Sequence, residues 1–215
     1  MIRYLLLDLD NTIYSQSCGL WEAIGCRINE FMIERLGMAH DEVTGRRQRY
    51  MNEFGTTLNA LRHYYGVDPD DFLAFVHDLP LARYLRLEPA LDAMLARLPV
   101  RKVILTNADA AHARRVLARL GVGRHFEQII DIRTLEFVTK PDRRAYLKAL
   151  QLIGALPGEC IFVDDHPANI AAAKSLGLWT VLVRDGCAAP FTGADYVIRQ
   201  IHELGGIIGS RVSSP

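Results

Sequence analysis

The first apolar run of the chain extends from Ile2 to Leu7, and its last four residues, Tyr4-Leu5-Leu6-Leu7, show no alternation between apolar and polar positions. A run of this kind is typical of a strand that is buried on both faces of a parallel sheet. From Leu20 onward, apolar residues instead recur at three- and four-residue intervals, which is the period of amphipathic helices. Four helices are predicted here, from Leu20 to Leu36, Asp41 to Met51, Leu58 to Tyr65, and onward from Pro69. With no strand pattern between them, they are expected to pack as a small bundle.

Helical segments and short apolar runs alternate after Pro89, which is the pattern of a doubly wound parallel sheet. Further strands are predicted at Lys102–Leu105, Gln128–Ile132, Cys160–Val163, Trp179–Val183 and Tyr196–Ile198, with helices at Pro89–Leu98, Ala111–Leu120, Lys140–Leu150 and Pro167–Gly177. The predicted fold class is therefore α/β, a Rossmann-like parallel sheet with an inserted small helical cap. We expect residues 1–14 and 86–209 to form the core, residues 15–85 the cap, and residues 210–215 a frayed tail.

Composition limits the classes of function. Half of the 215 residues are apolar, which is enough for a sizeable core. The 25 basic and 25 acidic residues balance, so no net charge attracts a nucleic acid polymer or an anionic membrane. No stretch approaches the ~20 apolar residues of a membrane span. The four cysteines, Cys18, Cys26, Cys160 and Cys187, show no C-x-x-C pair, so we expect a soluble protein of a reducing, cytoplasmic compartment, with its oligomeric state open.

Two carboxylates follow the first predicted strand, in the stretch Asp8-Leu9-Asp10-Asn11-Thr12. Because side chains alternate along a strand, Asp8 and Asp10 leave it on the same side. Two such carboxylates cannot both be ionised without a counter-charge, which a divalent cation would supply. One of them could then act as a nucleophile while the other moves protons. Taken alone, the stretch is equally compatible with a strand end followed by an Asx turn.

Two more predicted strands also end in polar residues. Thr106 and Asn107 follow the second strand, and Asp164 and Asp165 follow the fourth. Each pair by itself commonly marks a turn or a helix N-cap. Ligands of doubly wound sheets bind at the carboxyl ends of the strands, so the pairs together predict one site at that edge. Lys140, at the same edge of the intervening βα unit, is predicted to belong to it.

With these residues in place, the chain resembles the haloacid dehalogenase superfamily of phosphohydrolases over almost its whole length. The stretch from Asp8 to Thr12 is similar to the first motif of that family, Thr106 to the second, Lys140 to the third and Asp164-Asp165 to the fourth. The resemblance implies that Asp8 attacks phosphorus to give an aspartyl phosphate. It also implies that Asp10 protonates the leaving oxygen and then activates water.

The resemblance further implies how the charges of the phosphate are held. The phosphoryl oxygens would be bound by Thr106 and the Asn107 amide, with Lys140 neutralising charge. The ligands of a Mg²⁺ ion would be Asp8, the Asp10 carbonyl and Asp164, with Asp165 in support. The residue types agree, because oxygen ligands with open positions suit Mg²⁺ better than Zn²⁺.

A closer resemblance is to the pyrimidine 5'-nucleotidase subfamily, whose members share a helical cap inserted after the first motif. The similar segments are Phe54-Gly55-Thr56-Thr57-Leu58, Val76-His77-Asp78-Leu79-Pro80-Leu81, Leu105-Thr106-Asn107-Ala108, His112-Ala113 and Val163-Asp164-Asp165-His166. This resemblance implies a small-molecule phosphate ester as the partner. A pyrimidine nucleoside 5'-monophosphate is the favoured substrate.

Three alternatives stay open on the sequence. The substrate of the phosphatase could instead be a sugar phosphate or phosphoglycolate. A 2-haloacid dehalogenase is a weaker reading, because halide leaves without a proton and Asp10 would be idle. A receiver-like phospho-acceptor that is not an enzyme is weaker still. Receivers carry their acidic pair on the first strand and the acceptor on a later one, which is the reverse of the order here, and they lack an inserted cap.

Overall fold

The computed structural model describes residues 1–184 and 191–212, and it describes no side chains for residues 209–212. The strands within these ranges are β1 (Tyr4–Leu7), β2 (Arg101–Leu105), β3 (Gln128–Ile130), β4 (Cys160–Asp164), β5 (Trp179–Val183) and β6 (Tyr196–Ile198). The helices are α1 (Leu20–Leu36), α2 (Val43–Phe54), α3 (Thr57–Tyr65), α4 (Pro69–His77), α5 (Pro89–Arg97), α6 (Ala110–Leu120), α7 (Arg143–Ile153), α8 (Pro167–Ser175) and α9 (Leu204–Val212).

The described strands form one parallel sheet in the order β3-β2-β1-β4-β5-β6. The chain adds β2 and β3 on one side of β1, and then β4, β5 and β6 on the other side. The direction of winding therefore reverses next to β1, which opens a crevice at the carboxyl ends of the central strands. The predicted α/β fold with a doubly wound parallel sheet is confirmed.

Strand β1 owes its central place to its unbroken apolar sequence. Leu5, Leu6 and Leu7 are each at most 1% exposed, as expected for a strand covered on both faces. One core layer fills the space between the sheet and helices α7 and α8. Its buried members are Tyr4, Leu6, Val103, Leu105, Ile130, Leu135, Ala145, Tyr146, Ala149, Leu150, Cys160, Phe162, Ile170, Ala173, Leu178 and Leu182.

The chain divides into two compact units, one of residues Met1–Cys18 with Leu85–Pro215, and one of residues Gly19–Tyr84. The second unit contains α1 to α4 and, within the residues that it covers, no strand. Phe31 of α1 packs edge-on against Phe72 and Phe75 of α4, with ring centroids 5.1 and 5.4 Å apart. Arg47 of α2 donates a hydrogen bond of 2.7 Å to the Gly25 carbonyl of α1. These contacts hold the unit together internally, and its role as a cap stays a prediction.

The start of α7 was predicted wrongly. The helix begins at Arg143 and not at Lys140, because the Asp142 carboxylate accepts the N–H of Arg144 at 2.8 Å and acts as the N-cap. The stretch before it is thereby left outside the helix.

The end of β3 was also predicted wrongly, since the strand stops at Ile130 rather than at Ile132. The Asp131 carboxylate accepts N–H groups from Ala110 at 3.0 Å and from Thr134 at 2.9 Å, which turns the chain away from the sheet. The loop that follows leads to Lys140.

Helix α9 was not predicted, and it extends to Val212 in the predicted tail, whose residues 213–215 lie outside the described part. Cys187 lies outside it as well. The other cysteines, Cys18, Cys26 and Cys160, form no disulfide within the described residues. No described helix is both long enough and apolar enough to cross a membrane.

Replacing Leu6 by Ala tests the placement of the core. Leu6 lies on the central strand and is 1% exposed, so the free energy of unfolding should fall by ~2–5 kcal/mol through lost burial and a residual cavity. Chemical denaturation measures this. The matched control is Leu147→Ala on α7, where the leucine is 51% exposed and the change should stay within ~0.5 kcal/mol. Equal losses in the two variants would contradict the placement of Leu6 in the core.

Candidate active site

Three adjacent strands deliver the predicted site residues to one edge of the sheet. Strand β1 lies between β2 and β4 in the sheet order, and all three run parallel. Asp8 and Asp10 follow β1, Thr106 and Asn107 follow β2, and Asp164 and Asp165 lie at the end of β4. The crevice expected from the reversal of winding is therefore lined by polar groups.

The Lys140 ammonium joins two of these strand ends. Its Nζ donates to Asp8 Oδ1 at 2.6 Å and to Asp164 Oδ2 at 2.8 Å. The lysine is only 2% exposed, and its Nζ lies 5.3 Å from the centroid of the Phe162 ring. A buried charge of this kind is tolerated when opposite charges accompany it. Lys140 thus ties the ends of β1 and β4 together.

The Asn107 side chain fixes the backbone of this lysine. Asn107 Oδ1 accepts the N–H of Lys140 at 2.9 Å, and Asn107 Nδ2 donates to the Lys140 carbonyl at 3.0 Å. The peptide between Lys140 and Pro141 is cis. Since the side-chain amide is engaged in this way, the phosphate-binding role implied for Asn107 would depend on its main-chain N–H.

Thr106 is the other residue delivered by β2. It is 1% exposed, and its hydroxyl accepts the N–H of Ala108 at 3.0 Å. That hydrogen bond stabilises the turn into α6 and leaves the hydroxyl proton available to donate to an oxygen of a ligand.

Asp164 is wholly buried and is held by hydrogen bonds on both of its oxygens. Its Oδ1 accepts the N–H of His166 at 2.8 Å, and the Asn169 amide donates to Oδ1 at 2.9 Å and to Oδ2 at 3.0 Å. With the Lys140 bond, these contacts fix the carboxylate in one orientation.

A group of three carboxylates is suited to hold a cation. Asp8, Asp164 and Asp165 each present an oxygen within 4.8 Å of those of the other two. Three carboxylates around one ammonium leave an excess of negative charge, which a divalent cation would balance. All-oxygen ligands fit Mg²⁺, Ca²⁺ or Mn²⁺. The Asp10 carboxylate is not in this group, so only its carbonyl could serve as the ligand that the family resemblance implies.

The pKa values of the site follow from burial and this crowding of charge. Burial raises the pKa of Asp8 well above its usual range, and the charges of Asp164 and Asp165 add to the effect against the opposing Lys140. Burial lowers the pKa of Lys140, but Asp164 and Asp8 outweigh it and the net direction is upward. Burial and the neighbouring Asp164 raise the pKa of Asp165 to about 7.

The turn after β1 orients the first carboxylate. Asn11 adopts a left-handed conformation, with φ 58°, which asparagine tolerates better than most residues. The chain turns back there, and the Thr12 hydroxyl donates to Asp8 Oδ2 at 3.3 Å. Asp8 is therefore bonded on both oxygens, to Lys140 on one and to Thr12 on the other.

Asp10 has different partners from Asp8. Its Oδ1 accepts the Tyr14 hydroxyl at 2.6 Å and lies 3.0 Å from His112 Nε2. Both partners are buried, and burial, followed by the nearby Asp10 charge, raises the pKa of Tyr14 above its usual range. The two carboxylates of the first motif thus occupy distinct environments, which allows them different chemical roles.

Tyr14, His112 and Asn169 also contact the site carboxylates and were not among the residues predicted from the sequence. His112 and Asn169 lie in the first turns of α6 and α8, directly after the ends of β2 and β4. The first helical turn after a strand that ends in polar residues is the sequence signal that indicates both. Tyr14 lies four residues after Asp10 within the turn, where no periodic pattern indicates its direction.

The raised pKa of Asp165 predicts a pH dependence of stability without a metal. A carboxyl whose folded-state pKa lies above its unfolded value stabilises the fold most at low pH, and this contribution is lost as the pH rises from about 4 to about 7. In EDTA, the free energy of unfolding of the natural protein should therefore decline across this window. The decline should exceed that of Asp165→Asn by an amount on the order of 2–4 kcal/mol. Added Mg²⁺ should reduce the difference. Identical pH profiles in EDTA would contradict the raised pKa.

Comparisons with known proteins show which family this chain is similar to. The haloacid dehalogenase-like hydrolase family profile matches residues 2–177. Phosphate metabolism protein 8 of Saccharomyces cerevisiae is 26% identical over 199 residues, which cover 84% of this chain and 61% of the yeast protein. Glyceraldehyde 3-phosphate phosphatase of Methanopyrus kandleri is 26% identical over 206 residues, which cover 86% of this chain and 85% of the archaeal protein. Both relatives match most of this chain.

A solved structure shares the fold. The HAD phosphatase from Thermococcus onnurineus aligns with a TM-score of 0.67 at 23% identity, covering 97% of this chain and 98% of that chain. The chain spans about half to three fifths of the length of several curated relatives that it matches. The nucleotidase subfamily stays a prediction, because none of these matches is specific to it. The family profile covers most of the chain, and the protein belongs to the haloacid dehalogenase-like hydrolases.

Proposed function

We propose that this hydrolase cleaves a small phosphomonoester through an aspartyl phosphate on Asp8, with Mg²⁺ as its metal. One observation carries the proposal. The Asp8 carboxylate is bonded to Lys140 beside Asp164 and Asp165, while Asp10, two residues away, is bonded to different partners. A nucleophile bonded to an ammonium group, carboxylates beside it that suit a divalent cation, and a separate proton-transfer group are what phosphoryl transfer between oxygens requires.

The first step forms one bond and breaks another. An oxygen of Asp8 attacks phosphorus as the bond between phosphorus and the ester oxygen breaks, and Asp10 gives its proton to the departing ester oxygen, which becomes the alcohol. Lys140 Nζ lies 2.6 Å from Asp8 Oδ1. Its positive charge therefore offsets the repulsion between the Asp8 carboxylate and a dianionic phosphoryl group. Thr106 and the main-chain N–H of Asn107 donate to the phosphoryl oxygens. The products are the alcohol and the aspartyl phosphate.

The second step restores the enzyme. Asp10, now ionised, takes a proton from a water molecule as that water attacks phosphorus. The bond between phosphorus and Asp8 breaks, and inorganic phosphate leaves. The same side chain thus serves as acid and then as base, as the two half-reactions demand.

A metal ion would be held by Asp8, Asp164 and the Asp10 carbonyl, with Asp165 in support. When bound, it supplies Lewis-acid stabilisation of the charge that develops on the phosphoryl oxygens. Asn169 and the N–H of His166 orient Asp164 for this purpose. Mg²⁺ is favoured because all the ligands are hard oxygens.

The favoured substrate is a pyrimidine nucleoside 5'-monophosphate, with sugar phosphates and phosphoglycolate as alternatives. The curated relative from Methanopyrus kandleri is a phosphatase for a three-carbon sugar phosphate. A panel of nucleotides, sugar phosphates and phosphoglycolate, ranked by kcat/KM, tests the choice. A cytoplasmic location belongs to the same proposal.

The 2-haloacid dehalogenase alternative fits the site less well. Displacement of halide needs a nucleophile but neither a leaving-group proton nor a cation at three carboxylates. The group of three carboxylates could then hold no needed cation, and the Asp10 carboxyl would have no role in the reaction. Chloride release from a 2-chloroacid, with no release of phosphate from any ester, would favour that alternative.

Replacing Asp8 by Asn tests the nucleophile. An amide neither attacks phosphorus nor balances a cation, so phosphate release should fall to background while the melting temperature shows that the protein is folded. The matched control is Asp142→Asn, at a helix N-cap where asparagine performs equally well, and it should keep full activity. EDTA should abolish activity reversibly. Retained turnover in Asp8→Asn, or full turnover without a divalent ion, would contradict the proposal.

Replacing Asp10 by Asn tests the proton transfers. Turnover of a nucleotide, whose alkoxide leaving group needs a proton, should fall by ~10²- to 10⁴-fold. With 4-nitrophenyl phosphate, whose phenolate leaves unaided, Asp8 should still be phosphorylated and the second step should become limiting. Stopped-flow absorbance should then show a burst of nitrophenol close to one equivalent per active site. Equal losses for both esters without a burst would remove Asp10 from the acid and base roles.

A further inference from the structure

Two side chains outside the proposed reaction steps meet at one oxygen of Asp10. The Tyr14 hydroxyl donates to Oδ1 at 2.6 Å, and His112 Nε2 lies 3.0 Å from the same atom. Tyr14 belongs to the turn after β1, whereas His112 lies in the first turn of α6, after β2. Two segments that are far apart in the sequence therefore converge on a single atom.

The structure fixes His112 firmly in place. The side chain is 0% exposed. Its own N–H donates to Asp109 Oδ1 at 2.9 Å, and the N–H of Ala110 donates to Asp131 Oδ2 at 3.0 Å. Two carboxylates thus anchor the start of α6, which favours helix formation there and sets the position of the imidazole.

Tyr14 is held with comparable firmness. It is 6% exposed, so its hydroxyl would lose a hydrogen bond without gaining water if Asp10 rotated away. An unmade hydrogen bond in a buried position is costly. The Tyr14 bond therefore resists rotation of the Asp10 side chain.

The chemistry of a carboxyl group gives this convergence a consequence. An oxygen of a carboxyl group has two lone pairs in the plane of the group, and two donors occupy both of them. When Tyr14 and the Nε2–H of His112 donate to Oδ1, that oxygen has no lone pair left for a proton. The proton must then be carried by Oδ2.

We propose that Tyr14 and His112 are positioning residues that fix the rotation of the Asp10 carboxyl and confine proton transfer to its Oδ2. The inference depends on the proposed function, because it assigns a task within the same reaction. In the first step, Oδ2–H protonates the ester oxygen as its bond to phosphorus breaks. In the second, Oδ2 takes a proton from the attacking water as the bond between phosphorus and Asp8 breaks.

The dependence of the rate on the leaving group tests this role. A series of substituted phenyl phosphates varies the acidity of the phenol while the size of the ester changes little. The value of kcat/KM includes only the steps up to departure of the phenol, so it reports proton donation by Asp10 and not the later hydrolysis. If the Asp10 carboxyl group is poorly placed, kcat/KM should fall most for esters of weakly acidic phenols.

The variants Tyr14→Phe and His112→Leu each remove one donor. For the least acidic phenol, kcat/KM should fall by ~10- to 100-fold, within the range of general acid catalysis, and for nitrophenol by less than ~3-fold. His112→Gln can place an amide N–H near the position of Nε2 and should recover most of the loss. The matched control is Tyr4→Phe, which removes another buried hydroxyl, bonded to the Ile153 carbonyl at 2.9 Å, and should leave the leaving-group dependence unchanged.

The outcomes separate the inference from the function that it depends on. If the natural protein hydrolyses none of the esters, or if Asp8→Asn hydrolyses them equally well, the proposed function fails. If the natural protein and Asp8→Asn behave as proposed but Tyr14→Phe and His112→Leu keep the natural leaving-group dependence, the positioning role is wrong. A uniform loss across the series, or an equal steepening in Tyr4→Phe, would also overturn it.

Discussion

The buried ion pairs of Lys140 with Asp8 and Asp164 are the interaction on which the rest of the site depends. The ammonium lies 2.6 and 2.8 Å from carboxylates at the ends of two adjacent strands. Removing one partner from such an arrangement leaves a buried charge without compensation, which is far more costly than losing a surface pair. Several contacts accordingly hold Lys140 in place, including both hydrogen bonds of the Asn107 side chain to the Lys140 backbone.

This arrangement follows from the order of the strands. β1 is central because its residues are apolar on both faces, and β2 and β4 pair with its two sides. Polar residues placed just after each of the three strands must then meet at one edge. Helices α6 and α8 begin at the same edge and bring His112 and Asn169 into contact with carboxylates that the strands supply. The fold thus provides hydrogen-bond partners that hold the carboxylates of Asp8, Asp10 and Asp164 in place.

The parts that the sequence predicted are those that depend on local pattern. Apolar runs identified β1, β2, β4 and β5, and three- and four-residue intervals identified α1 to α4. The positions of Asp8, Asp10, Thr106 and Asp164 followed from the ends of those runs. The hydrogen bonds between the Asn107 side chain and the Lys140 backbone could not be predicted from the sequence, because they join residues 33 positions apart and Lys140 lies in a loop without periodicity. The same holds for the contact between Asp10 and His112, which are 102 positions apart.

The central claim is that Asp8 carries the phosphoryl group between the two steps. It is tested most directly by mixing the protein with 4-nitrophenyl phosphate and Mg²⁺, quenching in acid within the first turnover, and mapping the modified residue by mass spectrometry of peptides. The account predicts one added phosphoryl group, confined to the peptide that contains Asp8 and absent from Asp8→Asn. Phosphate release with no covalent intermediate, or a phosphoryl group on another residue, would contradict it.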